Sequence, residues 1–176
     1  YGIVDRVGHV VSHGSISTTQ YEEFKDYFHG LADALRVEIG KLKDEHKIIG
    51  VGVGAANGNY YKGTIERATN LKWKGIIPLA DMFQEEFDLP AIVTNDANAA
   101  AVGEMVYGAA KGMKDFVVIT LGTGLGSGFV CNGQLLNGKH GIAGEVGHTS
   151  VNPAGRYCNC GKRGCLETYV SATGIK

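Results

Sequence analysis

Three short apolar runs constrain the fold more than anything else in the chain: "IIGVGVG" at 48–54, "AIVT" at 91–94 and "FVVITL" at 116–121. None carries a charge, so each reads as a strand buried on both faces rather than one with a wet side. Helical patterns separate them. "LADMFQEEF" (79–87) puts Leu79, Met82, Phe83 and Phe87 on one face, and residues 97–107 form a second helical stretch. Buried strands alternating with helices imply an α/β fold with a parallel sheet covered on both faces. Before them, Tyr1–Ile3–Val4 and Val7–His9–Val10–Val11 read as two strands around a turn at Asp5–Gly8. A long helix follows, with Tyr21, Phe24, Phe28, Leu31, Leu35, Ile39 and Leu42 at helical spacing, and Thr19 with Glu22 matches a capping box at its start. After the third run, "GFVCNGQLL" carries Asn132–Gly133 between apolar segments, a strong hairpin signal. The expected order is β-β-α-β-α-β-α, then a hairpin and a glycine-rich loop. A boundary falls in "KGMKD" (111–115), giving regions 1–112 and 113–176.

The totals exclude several classes. The chain has 176 residues, a formal net charge of −1, 44% hydrophobic and 20% charged residues. This near-neutral balance argues against a nucleic-acid surface, which needs a basic face. No apolar run approaches the ~20 residues that span a bilayer. There is no secretory signal, so the expected location is cytoplasmic. The 27 glycines sit beside strand-like runs, as turns and close backbone approaches do.

Two segments carry candidate chemistry beside that sheet. "LGTGLGSG" (121–128) is neither a dinucleotide fingerprint, because Ser127 stands where the third glycine belongs, nor a Walker loop. It opens a strand, not a helix. Strand, glycine turn, strand suits phosphate binding by backbone N–H groups of Gly122, Thr123 and Gly124, and equally a glycine-rich hairpin without a ligand. "VTNDANAA" (93–100) places Asn95 and Asp96 where a buried strand runs into a helix. In open α/β sheets, ligands bind at that edge. Asp96 there suits a base accepting a hydroxyl proton, and Asn95 a hydrogen-bonding partner; helix capping is the plainer role for both.

The third segment is "GEVGHTSVNPAGRYCNCGKRGCLE" (144–167). Cys158 and Cys160 are too close in sequence for an easy disulfide, and a reducing compartment disfavours one. His148 with Cys158, Cys160 and Cys165 makes a Cys3His donor set suited to structural zinc. Free thiols or a redox pair remain the alternatives. Glu145 and Glu167 flank the loop. They read either as solvated charges or as carboxylates held for hydrogen bonds to a polyol.

Together these pieces resemble the ROK family of sugar kinases and related repressors. "CNCGKRGCLE" follows the family pattern Cys-x-Cys-Gly-x-x-Gly-Cys-x-Glu. "AGEVGH" (143–148) resembles the sugar-contact segment, "NDANAAAVGE" (95–104) the catalytic segment, and "LGTGLGSG" the second phosphate loop. "GAANGNYYKGTIE" (54–66) and "NLKWKG" (70–75) are similar to the bacterial glucokinases of the family. The resemblance covers essentially the whole chain. It implies an actin-like, ribonuclease-H-like ATPase fold of two domains, each incomplete in this chain. It implies ATP-dependent phosphorylation of a hexose at its 6-hydroxyl, glucose first, with fructose, mannose or an N-acetylated hexose as alternatives and a sugar-sensing repressor as another. Asp96 is then the base. Asn95, Glu145, His148 and Glu167 hold the sugar, and Gly122, Thr123 and Gly124 approach ATP, which brings Mg²⁺. His148, Cys158, Cys160 and Cys165 bind structural Zn²⁺, and the assembly is a homo-oligomer, dimer or tetramer.

The chain departs from the family pattern in three places. The family opens on a strand with an Asp-x-Gly-Gly-Thr phosphate loop, and this chain starts after it. The family continues well past Lys176. A sugar-side Gly-Ala-Pro reads Gly54–Ala55–Ala56 here, which frees that loop's backbone. The expectation is an internal piece of a kinase that is inactive alone.

Overall fold

The structure, a computed structural model, describes residues 1–68 and 71–176. The "NLKWKG" segment begins at Asn70, outside the described residues. Strands β1 (Gly2–Val4) and β2 (Val10–His13) form an antiparallel hairpin. Helix α1 (Phe24–Leu42) follows, then β3 (Val51–Gly54). The short strands β4 (Gly58–Asn59), β5 (Thr64–Glu66) and β6 (Ile76–Ile77) make a small antiparallel sheet. Helix α2 (Leu79–Phe87), β7 (Ala91–Thr94) and α3 (Asp96–Val106) complete the first region. A three-stranded antiparallel sheet of β8 (Phe116–Leu121), β9 (Leu125–Cys131) and β10 (Gln134–Leu135) begins the second. A helical turn, α4 (Glu167–Val170), lies near the end.

The boundaries of α2, β7 and β8 match the sequence reading; the long helix does not start as expected. Thr19 lies in a separate 3-10 turn (Thr18–Gln20) whose cap is Ser17, and α1 begins at Phe24 with no side-chain cap. Glu22 is drawn away from any capping box. Its carboxylate meets Lys72 at 3.2 Å and its carbonyl accepts the Trp73 indole N–H at 2.9 Å. Tertiary partners outcompete the local motif.

The expected parallel sheet covered on both faces is also corrected. β3 and β7 pair in parallel, but the β1–β2 hairpin is not bonded to them, and an apolar groove of about 890 Å³ separates the two. Val93 joins the buried core, with Val51, Val53 and Ala91 packed against it, while Ile92, between them on the other face, is 53% exposed. Strand β8 behaves likewise, with Val117, Ile119 and Leu121 exposed. Apolar runs alone do not report which face a helix covers.

The core of the first region is aromatic. Phe28 and Phe83 meet edge to face at 5.1 Å, and Trp73 packs between Phe24 and Tyr27 at 5.3 and 4.8 Å. This anchors α1 and α2 on one side of β3 and β7. Helix α3 joins the two regions by packing on β3 as well as on β8 and β9. Its close seat needs glycine. A Cβ on Gly126 would lie 2.9 Å from Ala97 Cβ, and one on Gly128 would lie 2.5 Å from Ala101 Cβ. At the β9–β10 turn, Asn132 and Gly133 both have positive φ, 53° and 74°, as a type I′ turn requires.

Candidate functional site

A polar cleft of about 1630 Å³ opens between the two regions. One wall carries Asn57, Asn59 and Glu66 from the small sheet, with Asn95 and Asp96 from the end of β7 and the start of α3. The other carries the 122–124 turn, Glu145, His148, Cys158, Cys160 and Glu167. Every site residue expected from the sequence except Cys165 lines this cleft, and Cys165 is buried directly behind it.

Asn95 and Asp96 divide their work at the head of α3. Asn95 Oδ1 accepts the N–H groups of Ala97 at 2.9 Å and Asn98 at 3.3 Å, which is an N-cap. Asp96 Oδ1 also meets the Ala97 N–H at 2.9 Å, while the rest of its carboxylate is exposed to the cleft. An N-terminal carboxylate is further favoured by the helix dipole.

Glu145 and His148 sit at either end of a short 3-10 turn held against β9. Gly147 packs on the Leu125 carbonyl, and a Cβ on Gly144 (φ +93°) would come within 2.7 Å of the Ser127 carbonyl. Larger residues at either position would push both side chains out of place. The Glu145 carboxyl is raised above its ordinary value, chiefly because surrounding protein strips its water. The His148 ring opposes this, while the charges of Asp96 and Glu167 add to it. The carboxylates of Asp96 and Glu167 therefore lie close enough to act on Glu145.

Behind them, the ligand atoms of His148, Cys158, Cys160 and Cys165 all lie within 4.8 Å of one another. Cys160 and Cys165 sulfurs are 3.6 Å apart, and Cys158 Sγ is 3.7 Å from His148 Nδ1. The edges of a tetrahedral zinc–thiolate site are about 3.8 Å, from bonds of about 2.3 Å. The donor set thus has the spacing to hold a metal ion with little rearrangement. All four cysteines of the chain are free thiols. Burial pushes the Cys158 thiol up to about 12, and burial also raises Cys165. At Cys160, burial is outweighed by the Lys162 N–H and the neighbouring thiols, and its value falls. Two positive-φ glycines bend the loop, Gly161 (φ 90°) and Gly164 (φ 70°), the latter packed on the Asn152 carbonyl.

The 122–124 turn joins β8 to β9 as a tight hairpin, with Leu121 opposite Leu125. The Gly122 N–H is used internally, donating to the Gly124 carbonyl at 3.0 Å. Glu167 reaches both neighbours: its Oε1 is 3.4 Å from His148 Nδ1, and its Oε2 would lie 2.7 Å from a Cβ on Gly124.

The sequence missed the wall facing these groups. Asn59 is buried and donates to the His140 carbonyl at 3.3 Å, tying the small sheet to the loop ahead of Glu145. Its Oδ1 accepts the N–H groups of Tyr61 and Lys62. Glu66 gathers Lys62 Nζ at 2.8 Å and Thr64 Oγ1 at 3.1 Å. Strands of two or three residues carry no readable periodicity, so only the resemblance of 54–66 to glucokinases pointed here. The Ala55–Ala56 loop is a closed turn, with Gly58 N–H donating to the Ala55 carbonyl at 3.0 Å and Asn57 at φ 56°.

Comparison with known proteins places this arrangement. A glucokinase of Halalkalibacterium halodurans is 46% identical over 171 residues, covering 96% of this chain and 52% of that protein. A xylose repressor of Caldicellulosiruptor bescii is 39% identical over 144 residues, covering 80% of this chain and 36% of that one. The crystal structure of a ROK family glucokinase from Streptomyces griseus, in complex with glucose and AMPPNP, superposes with a TM-score of 0.80 at 38% identity, over 99% of this chain and 54% of that one. The chain spans about half the length of the glucokinases it matches. Its α/β architecture is accordingly part of the actin-like ATPase fold. With the ROK family matched over residues 2–176, this chain belongs to the ROK family.

Proposed function

We propose that the protein carrying this chain is an ATP-dependent hexokinase that phosphorylates a hexose, glucose first, at its 6-hydroxyl. One observation carries the reading: Asp96, Glu145, His148 and Glu167 line the same cleft as the 122–124 hairpin. Residues 1–112 supply one wall and 113–176 the other. Asn95, Glu145, His148 and Glu167 hold the sugar hydroxyls. The Asp96 carboxylate accepts the proton of the 6-hydroxyl as its oxygen attacks the terminal phosphorus of ATP, and ADP departs. The Thr123 and Gly124 amides cradle the phosphates, whose charge Mg²⁺ offsets when it accompanies the nucleotide.

The four-donor cluster fits structural Zn²⁺, with His148 Nδ1 and three sulfurs as ligands. Bound there, zinc favours the thiolates of Cys158 and Cys165, which burial alone disfavours. It also fixes His148 so that its other ring nitrogen serves the sugar. Cysteines that serve as metal ligands suit a reducing, cytoplasmic setting, where disulfides are rare.

The similarity to xylose repressors supports a second reading, a sugar sensor without turnover. Asp96, exposed to the cleft, favours the kinase, because a sensor needs no base. The experiment is a coupled assay of the full-length protein with ATP and a panel of hexoses. It is expected to show turnover on glucose that falls about a thousandfold in Asp96→Ala while calorimetric glucose binding survives. Sugar binding without turnover by the unaltered protein would establish the sensor instead.

A further inference from the structure

The 122–124 hairpin is gripped by a segment, residues 171–174, that shares the cleft lining but has no part in the chemistry described above. Its carbonyls, not its amides, make the contacts. The Gly122 carbonyl accepts the Ala172 N–H at 2.9 Å, and the Thr123 carbonyl accepts Thr173 Oγ1 at 2.6 Å. In a planar trans peptide, the C=O of one residue and the N–H of the next point in opposite directions. Holding those two carbonyls therefore turns the N–H groups of Thr123 and Gly124 away from 172–173. Neither N–H has an acceptor among the described residues. Two successive free amides at a glycine turn form an anion-binding concavity.

Thr173 is itself held in place. The Gly174 N–H donates to Ser171 Oγ at 3.1 Å, and Ser171 Oγ lies 3.1 Å from Thr173 Oγ1. Ser171 is 2% exposed, so its hydroxyl has no water to turn to. The one proton of the Thr173 hydroxyl goes to the Thr123 carbonyl, so the bond between the two hydroxyls is donated by Ser171, whose oxygen also accepts the Gly174 N–H. The chain of hydroxyls has one direction and ends on the hairpin.

We infer that Thr173 is a positioning residue for the nucleotide: its hydroxyl sets the Thr123–Gly124 peptide so that the Gly124 N–H meets a phosphate oxygen. The inference rests on the kinase reading of the same cleft. Its ligand is a polyphosphate chain; the sugar is held in the same cleft by groups that Thr173 does not touch.

The test is steady-state kinetics of the full-length enzyme with Thr173→Val, which keeps the shape and deletes the hydroxyl. KM for ATP is expected to rise about threefold to tenfold, the worth of one net hydrogen bond, with KM for glucose unchanged. Thr173→Ser restores the hydroxyl and is expected to restore KM for ATP. A general loosening would move both KM values together and would not be rescued by serine. Thr173→Ala deletes the hydroxyl without adding bulk and carries the same expectation should the valine variant fail to fold. An unchanged KM for ATP in a folded variant, or serine behaving like valine, overturns the inference and leaves the kinase reading standing. Absence of turnover in the unaltered enzyme overturns both.

Discussion

The Cys158 thiol lies 3.0 Å from Oε1 of Glu167, so a residue of the donor cluster and a residue of the cleft wall share one contact. Glu167 stands two residues beyond Cys165 at the head of α4, and the Leu166 N–H bonds the Thr149 carbonyl just after His148. That contact needs the thiol proton and is lost if a metal holds Cys158 as thiolate, so the cluster orders the carboxylate through the backbone that joins Cys165, Leu166 and Glu167.

Metal removal should therefore cost sugar affinity. Elemental analysis is expected to find one zinc per chain, lost in Cys160→Ser. Glucose affinity should then fall by about 1.5–3 kcal/mol, the worth of a hydrogen bond to a charged group. Calorimetry with glucose on the metal-free and metal-loaded protein checks this, and equal affinities would break the link between cluster and wall.

Seating of α3 should control turnover at a distance. Gly128→Ala places a Cβ 2.5 Å from Ala101 Cβ and 2.9 Å from the Ala97 carbonyl, which as backbone cannot step aside. The expected cost is about 1–3 kcal/mol of stability by overpacking. The displaced helix carries Asp96 with it, so kcat should fall while KM for ATP changes little. Chemical denaturation and initial rates measure the two effects separately.

The aromatic core should be unforgiving. Phe83 is 2% exposed and packs on both Phe28 and Phe87. Phe83→Ala is expected to cost about 3–5 kcal/mol, a large share of a domain's whole stability. Urea denaturation read by the fluorescence of Trp73, which belongs to the same core, would report it.

Acid should weaken the small sheet through Glu66. Its carboxyl is held below the ordinary glutamate value, first by the hydrogen bond from Lys62, with Thr64 adding to it against a burial effect. A depressed folded-state value means stability that is present above the unfolded value of about 4.3 and is lost as pH falls through the folded one. Glu66→Gln should thus be less stable than the unaltered chain near neutral pH, and the gap should narrow as the pH is taken into the acid range below about 4.3. The pair is solvent-exposed, so the gap should be small and shrink further in salt. Thermal melts of both proteins in the two pH ranges test it, and a gap that stays constant would remove Glu66 as the cause.

Much of the site was legible in the residues because its motifs are local. The cluster needs only a bent loop around four donors, and Gly161 and Gly164 announce the bends. The head of α3 was readable because Asn95 caps whichever helix follows it. The Thr19–Glu22 capping box failed for the opposite reason. Its glutamate found Lys72 and Trp73 about fifty positions away, and no local pattern reports such a partner.

Local chemistry in the sequence thus determined the elements and the candidate donor set: the apolar runs, the helical spacing, the Asn132–Gly133 turn and the histidine and three cysteines between 148 and 165. Only the tertiary structure decided which sheet faces are covered, that Gly126 and Gly128 seat α3, and that Asn59 closes on the His140 carbonyl across the cleft. It alone also decided that the Thr173 hydroxyl meets the Thr123 carbonyl, fifty positions away in sequence. The physical reason is the reach of each interaction. Periodicity, capping and turn geometry act within a few residues, whereas a close approach or a hydrogen bond between distant segments exists only once packing has brought them together.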